Sequence, residues 1–410
     1  MDAAGARLFR NKSFRALWLG QFVSILGDRL HYLALLALIV ERAHDPRNPA
    51  PELALIPAVS FLPAILFGPM AGALIDSWNV RRVLITSDLI RGCVVLLLIP
   101  AAVWGGLPAA FAAVFLLFAV NVFFLPARSA IVPDLVPSED LVRANSLATL
   151  AGVAATIAGS FLGGLLVERV GWRWAFAIDG ATYFLSVAFL AATRPVPHAR
   201  KPAPEDRGSV YRALRRDVVE GARISVADRA VLGSLLALAS LWAAGGALHV
   251  AGTVLIVQRT RGFVSGLGGL LAVFGFGMAA GTLLLASRGS RWSKRALVSG
   301  GLAGSGAMIA LFALVSDPLV AALASFAAGW FTAFLLVTTE SVVQASVGRE
   351  ARGRVFALRD FMTRVAVLGT AGFVGLALGR HWISAEWAVS AAGAMLIVTG
   401  AWGFLGWRRA

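Results

Sequence analysis

Apolar stretches of 20 residues or more follow one another along almost the whole chain, and this leaves few folds open. Twelve are read, at 14–40, 52–75, 83–104, 107–131, 142–167, 172–193, 230–257, 264–286, 296–315, 318–346, 355–379 and 385–407. About 20 apolar residues in a helix cross a hydrocarbon core of roughly 30 Å. Inside lipid every backbone N–H and C=O must be paired within the structure itself, so helices are expected and open sheets are excluded. The chain is 58% hydrophobic and only 14% charged, whereas soluble domains carry about a quarter charged residues. Residues Met1–Arg15 are short and basic, and the apolar run that follows is too long for a signal core, so no cleaved leader is expected. One cysteine, Cys93, excludes an intrachain disulfide and a cysteine-based metal cluster.

A net charge of +15 is compatible with nucleic acid, but its distribution points elsewhere. With the N-terminus placed in the cytoplasm, 26 of the 37 Lys and Arg lie inside, 7 outside and 4 within spans. That asymmetry satisfies the positive-inside rule. The expected location is therefore the cell inner (plasma) membrane, multi-pass, with both termini cytoplasmic. Anionic headgroups of membrane lipids are the expected counter-charge, and no nucleic acid partner is expected.

Two internal echoes indicate a duplication. Gly68-x-x-x-Gly72-x-Leu74 ends in Arg81-Arg82, and Gly277-x-x-x-Gly281-x-Leu283 ends in Arg288, Arg291, Lys294 and Arg295. Val136-Pro137-Ser138-Glu139 with Arg143 and Leu147 returns as Val347-Gly348-Arg349-Glu350 with Arg354 and Leu358. Two pairs at nearly one offset point to two related halves. The expected division is an N-terminal six-helix bundle at 1–193, a cytoplasmic linker at 194–229 and a C-terminal six-helix bundle at 230–410. Prolines at the start of the linker break any helix there. Beyond them Val210, Leu214, Val218 and Ala222 share one side of an amphipathic segment, read as an interfacial or a solvated linker helix. Gly68/Gly72, Gly159/Gly163, Gly277/Gly281 and Gly375/Gly379 have the small-xxx-small spacing of close-packed helices in lipid.

Gly72-Ala73-Leu74-Ile75-Asp76-Ser77-Trp78-Asn79-Val80-Arg81-Arg82 resembles the signature loop between helices two and three of the major facilitator superfamily. Ser77 stands where that pattern has a base, and Asn79 where it has a second glycine; Asn tolerates a left-handed turn. Asp88-Leu89-Ile90-Arg91, Pro126-Ala127-Arg128, Ala144-Asn145-Ser146 and Arg352-Gly353-Arg354 look like the branch containing siderophore (enterobactin) and macrolide exporters. Gly159-Ser160-Phe161-Leu162-Gly163 is similar to the antiporter motif of helix five, with Ser160 in place of proline. The resemblance implies an all-α membrane protein of twelve transmembrane helices in two pseudo-symmetric bundles. It also implies a gating role for Gly72, Asp76, Arg81, Arg82 and Arg128, with Asp76 meeting the N-terminus of helix eleven near Phe356–Arg359.

Ionisable residues within spans cost about 2.5–3.5 kcal/mol each on insertion scales and are candidates for function. Asp28 and His31 are three apart on one helical face, where a carboxylate beside an imidazole can take a proton or hold a cation. His249 follows Gly245-Gly246, which weaken a helix. Glu340 and Gln344 lie one turn apart in the most polar part of the tenth span, and Asp179 interrupts an apolar run. Asp28, His31, Asp179, His249, Glu340 and Gln344 are thus candidates for proton coupling or for lining a substrate cavity. Asp88 with Arg91, and Asp360 with Arg364, are spaced to neutralise one another along their own helices. Gly27-Asp28-Arg29 is also similar to ferroportin-type metal exporters, which would make Asp28 and His249 metal ligands.

No nucleotide-binding, zinc-protease or nucleophile-elbow motif occurs, so neither an enzyme nor a cofactor is expected. The expected function is secondary active transport by alternating access: proton-coupled export of a small amphipathic or lipophilic solute by a monomer. Alternatives are divalent transition-metal export, lysophospholipid movement, and a non-transporting membrane scaffold or sensor.

Overall fold

The structure, a computed structural model, describes residues 8–75, 78–194, 207–260 and 262–406. It is built of helices and short connections, with no strand among the described residues. The helices are α1 Lys12–Arg42, α2 Ala50–Leu53, α3 Leu55–Ile75, α4 Val80–Leu135, α5 Leu141–Ala191, α6 Arg207–Ala227, α7 Arg229–Ala247, α8 Thr253–Arg259, α9 Phe263–Arg288, α10 Lys294–Leu314, α11 Pro318–Ser346, α12 Arg349–Gly379 and α13 Ala385–Gly406. By length and composition ten helical stretches among the described residues can cross a membrane, and α7 and α8 form one of them.

Two of the ten are too long for a single crossing. At about 1.5 Å per residue, the 56 residues of α4 would reach far beyond a bilayer core. Gly106 (φ 66°, ψ −161°) breaks α4 into arms 80–105 and 107–135. Gly171 (φ 77°, ψ 168°) likewise breaks α5 into arms 141–170 and 172–191. That corner of conformational space is essentially reserved for glycine, which is why these two residues stand between the expected spans.

Several helix starts are chemically marked. Asp228 accepts from the N–H groups of Ala230 and Val231 at 2.8 and 3.2 Å. Asp317 accepts from Leu319 and Val320 at 2.9 and 3.0 Å ahead of Pro318. Ser293 accepts from Ala296 at 3.2 Å. Asn79, expected to take a left-handed turn, does not: it is extended (φ −70°, ψ 107°) and caps α4 through Arg82 N–H at 3.0 Å. A side-chain oxygen here satisfies one of the orphan donors of the first turn, so no glycine-like conformation is needed. Asn79→Ala is expected to cost about 1 kcal/mol of stability; unchanged thermal unfolding of the purified variant would show the cap to be silent.

The chain forms two compact units, one made of residues up to Arg42 and Val59–Val210, the other of Ala43–Ala58 and Tyr211–Ala410. In the first, α1 lies between the two arms of α5. A Cβ at Gly159 would stand 2.9 Å from Arg29 Cβ, and one at Gly163 would stand 3.3 Å from Leu30 Cα. On the other arm, a Cβ at Gly27 would stand 2.6 Å from Asp179 Oδ1 and overlap Thr182. Small residues let these backbones approach where no water-exclusion force acts between helices.

In the second unit α9 and α11 cross at Gly277 and Gly329, whose missing side chains make room for Phe326 and Phe274 carbonyls. Gly281 packs the same way on Trp330, and Gly375 and Gly379 receive α2 at Ala50, Pro51 and Ala54. Gly68 departs from the expected pattern, with open space where its Cβ would be. Helix α6 docks on this unit through Val218 and Ala222, which pack beside Val231, Leu235, Val343, Val347, Val355 and Leu358. The side chains of Val210 and Leu214 lie outside the described residues.

Candidate functional site

The polar residues of the first unit converge on the contact of α1 with the second arm of α5. Gly27 lets that contact close, and it places the next turn of α1, with Asp28 and His31, against Asp179 and Tyr183. His31 Nδ1 lies 3.1 Å from Asp179 Oδ2, with His31 5% exposed and Asp179 fully buried. The Thr182 hydroxyl donates to the Asp179 carbonyl at 2.7 Å and lies 3.5 Å from its carboxylate. His31 Nε2 is buried and has no hydrogen-bond partner among the described residues. The Tyr183 hydroxyl donates to Asp28 Oδ1 at 2.5 Å. Asp28 itself is exposed, as is Arg29.

The spacing of Asp28 and His31 therefore brings both to one neighbour but not to each other. Each takes its own partner from α5, because Asp179 and Tyr183 are themselves one helical turn apart and match the rise from His31 to Asp28.

Tyr183 carries the connection onward. Its ring lies 4.6 Å from the Arg91 guanidinium carbon, and Phe124 holds the same guanidinium at 3.9 Å. Arg91 is ion-paired with Asp88 on its own helix, both side chains being almost wholly buried. Its other end donates to Asn121 Oδ1 at 3.1 Å, and Ser186 donates to Asp88 Oδ2 at 2.7 Å. A buried pair is tolerated better when further hydrogen bonds serve its remaining atoms; Asn121 and Ser186 supply two, while Arg91 Nε is buried without a hydrogen-bond partner among the described residues. The i,i+3 pairing expected from the sequence is present, but it is one part of a network joining α1, both arms of α4 and α5.

Tyr183, Ser186, Thr182 and Asn121 escaped the sequence reading. A signal existed for three of them: Asp179, Thr182, Tyr183 and Ser186 recur at helical spacing within an otherwise apolar arm.

The gating candidates have simpler surroundings. Arg81 donates through Nε to Thr193 Oγ1 at 3.0 Å and through Nη2 to the Ala191 carbonyl at 2.7 Å. It thereby closes the C-terminal end of α5, where unpaired carbonyls and the helix dipole favour a cation. Arg82 is exposed, Arg128 is half-buried on the second arm of α4, and Gly72 lies in α3. Asp76 lies outside the described residues.

In the second unit Glu340 and Gln344 meet at the end of α11. Gln344 Nε2 donates to Glu340 Oε1 at 3.1 Å, and Arg359 of α12 holds Glu340 Oε2 at 2.6 Å. Arg359 also holds Asp360, through Nε at 3.0 Å and Nη2 at 2.9 Å. Arg359, and not the Arg364 expected from the spacing, is thus the partner that holds Asp360. A planar guanidinium can serve two carboxylates at once, which draws Asp360 to its neighbour. Arg352 donates to the carbonyls of Gln344 and Val347, closing the end of α11 as Arg81 closes that of α5.

His249 lies in a π-helical turn, Leu248–Gly252, between α7 and α8. Its Nε2 is 3.3 Å from the Leu53 carbonyl, and its own carbonyl accepts from Thr253 Oγ1 at 2.6 Å. The weakening expected at Gly245-Gly246 does not unwind the helix. A Cβ at Gly246 would stand 2.7 Å from the Val367 carbonyl, so this glycine serves close packing, and the irregularity appears one turn later as a wide turn. Among the described residues no three His, Cys, Asp or Glu side chains are grouped as a metal ion requires.

Comparison with known proteins bears on family and fold. An uncharacterized MFS-type transporter of Mycobacterium tuberculosis is 28% identical over 366 residues, 84% of this chain and 80% of that one. The putative bacilysin exporter BacE of Bacillus subtilis is 31% identical over 178 residues, 43% of this chain and 42% of its own. Macrolide efflux protein A of Streptococcus pyogenes is 29% identical over 133 residues, 32% of each chain. In fold, a mutant of the nucleoside transporter NupG superimposes with a TM-score of 0.76 at 14% identity, covering 96% of this chain and 99% of that one. An inward-facing bacterial homolog of the human lysosomal transporter Spinster gives 0.73 at 14% identity, covering 98% and 97%. The family model of the Major Facilitator Superfamily matches residues 17–269, more than half of the chain. With its long apolar helices and its glycine-packed bundles, the chain belongs to the Major Facilitator Superfamily and is a multi-pass membrane transport protein.

Proposed function

We propose that the protein exports a small amphipathic or lipophilic solute in exchange for protons, by alternating access of two six-helix halves. On this reading the halves are 1–193 and 230–410. The ten long apolar stretches make twelve crossings because α4 and α5 each turn back at a glycine. Both termini are cytoplasmic, following the Lys and Arg asymmetry. The relatives named for bacilysin and macrolide export favour the outward direction.

The observation that carries proton coupling is Asp28: an exposed carboxylate on an apolar helix, held by the Tyr183 hydroxyl at 2.5 Å. Protonation removes the charge that Tyr183 bonds to, and Tyr183 in turn stacks on Arg91 of the buried pair. A single proton can thus change how firmly α1 is held to α5, which biases a two-state equilibrium. The Glu340–Arg359 contact and the gating residues Gly72, Asp76, Arg81, Arg82 and Arg128 would secure the cytoplasmic end.

The test is transport in proteoliposomes with and without an imposed pH gradient, using a cationic dye, Mn²⁺ and a fluorescent lysolipid. Wild type is expected to move dye only with the gradient, and Asp28→Asn to lose at least about 10-fold of that rate, as removal of an obligatory charge change requires. Gradient-driven transport undiminished in Asp28→Asn would sink the assignment of the proton site. Gradient-independent Mn²⁺ or lysolipid movement would replace the export reading.

A further inference from the structure

Helix α6 sorts its charges in a way that its docking on the second unit explains only by half. Its acids, Asp217 and Glu220, are both turned to Arg354 of α12, at 3.7 and 2.5 Å. Between them and the bundle, Gly221 lets the helix approach the Arg354 carbonyl, and the Ser225 hydroxyl donates to the Gly221 carbonyl at 2.7 Å. The acidic side of the helix is therefore consumed by the fold.

The adjoining face is different. At about 100° per residue, Arg215, Arg216, Val219, Arg223 and Val226 fall within an arc of roughly 100°. All five are exposed, Val219 at 47% and Val226 at 67%. A basic face with no acid on it, interleaved with bare valines, needs an anionic partner that also offers apolar contact.

Position narrows the partner. The helix ends at Ala227, and only Asp228, the cap of α7, separates it from a helix long and apolar enough to cross the membrane. Its docking partners Val347 and Val355 flank the connection between α11 and α12, also at the ends of spanning helices. With the spanning helices set in a bilayer, this end of the bundle would meet the headgroups.

We propose that this face of α6 binds the anionic lipid headgroups of the adjoining leaflet, its arginines on phosphate and Val219 and Val226 in the layer beneath. A leaflet supplies both charge and apolar depth, whereas a soluble polyanion leaves the valines uncovered. Each arginine close to such a surface adds about fivefold to affinity, and the attraction is screened by salt.

The test uses the full-length protein with Cys93→Ser and Val219→Cys, labelled at position 219 with an environment-sensitive fluorophore. It is placed in nanodiscs of phosphatidylcholine alone or mixed with phosphatidylglycerol. Emission is expected to shift to the blue only in the anionic discs, and to return on adding salt. Arg215→Gln, Arg216→Gln and Arg223→Gln together should abolish the shift, while Arg291→Gln with Lys294→Gln in another basic loop should leave it. Identical emission in both discs would overturn the proposal. So would a shift produced by heparin in neutral discs and not by phosphatidylglycerol. Should the triple variant fail to fold, the wild-type comparison of lipids still decides.

Discussion

Arg91→Met is expected to destabilise the protein by about 3–5 kcal/mol, the cost of leaving one partner of a buried ion pair without the other. The Asp88 carboxylate is fully buried, and with Arg91 gone it would keep only the Ser186 hydroxyl among the contacts described above. Joining the change with Asp88→Leu removes the stranded charge as well, and the double variant is expected to recover most of the loss. Both proteins lose the contacts of the guanidinium with Phe124, Tyr183 and Asn121, so the difference between them isolates the uncompensated carboxylate. Unfolding in detergent, followed by tryptophan fluorescence against a denaturing detergent, measures both. Equal stability of the single and double variants would mean that the pair is not buried as the structure has it.

A second large effect is expected where α9 crosses α11. Gly329→Leu must force a side chain against the Phe274 carbonyl and the Met278 N–H, the latter 3.0 Å from where a Cβ would stand. Both obstacles are backbone, so no rotamer change relieves them, and the two helices must part. Overpacking of this kind costs at least about 3 kcal/mol, the upper end for a core that can adjust. The control lies on α9 itself. Gly269 has open space on its Cβ side, so Gly269→Ala should be neutral or stabilise by up to about 1 kcal/mol through helix propensity. The same unfolding measurement checks both; loss of stability in Gly269→Ala equal to that in Gly329→Leu would show that the crossing is not what matters.

Several local features were legible because their physics is local. Apolar length marks a crossing helix whatever it packs against, and the expected spans at 264–286, 318–346 and 355–379 fall within α9, α11 and α12. Small-xxx-small spacing correctly marked Gly159/Gly163 and Gly277/Gly281 as close approaches, but it could not show that Gly68 faces open space. Asn79 illustrates a different limit. Its composition fits both a left-handed turn and an N-cap, and only the position of the Arg82 N–H decides between them.

The candidate site was legible as a set of residues and not as a set of contacts. Asp28, His31 and Asp179 stood out because charge is costly in a span. Nothing in the sequence paired His31 with Asp179 across 148 positions, or Tyr183 with Asp28 across 155. Asp360 was matched to the wrong arginine because two neighbours on one helix are both within reach, and the position of Glu340 on another helix selects Arg359.

The sequence by itself determined that this is a helical membrane protein with glycine-marked packing seams, since hydropathy and small-residue spacing act within one or two turns. Only the tertiary structure decided which buried charge meets which partner, which glycines touch a neighbour, and which face of α6 stays bare. Those depend on the rotation and depth of each helix against the next, and that is a property of the packed bundle and of no single segment.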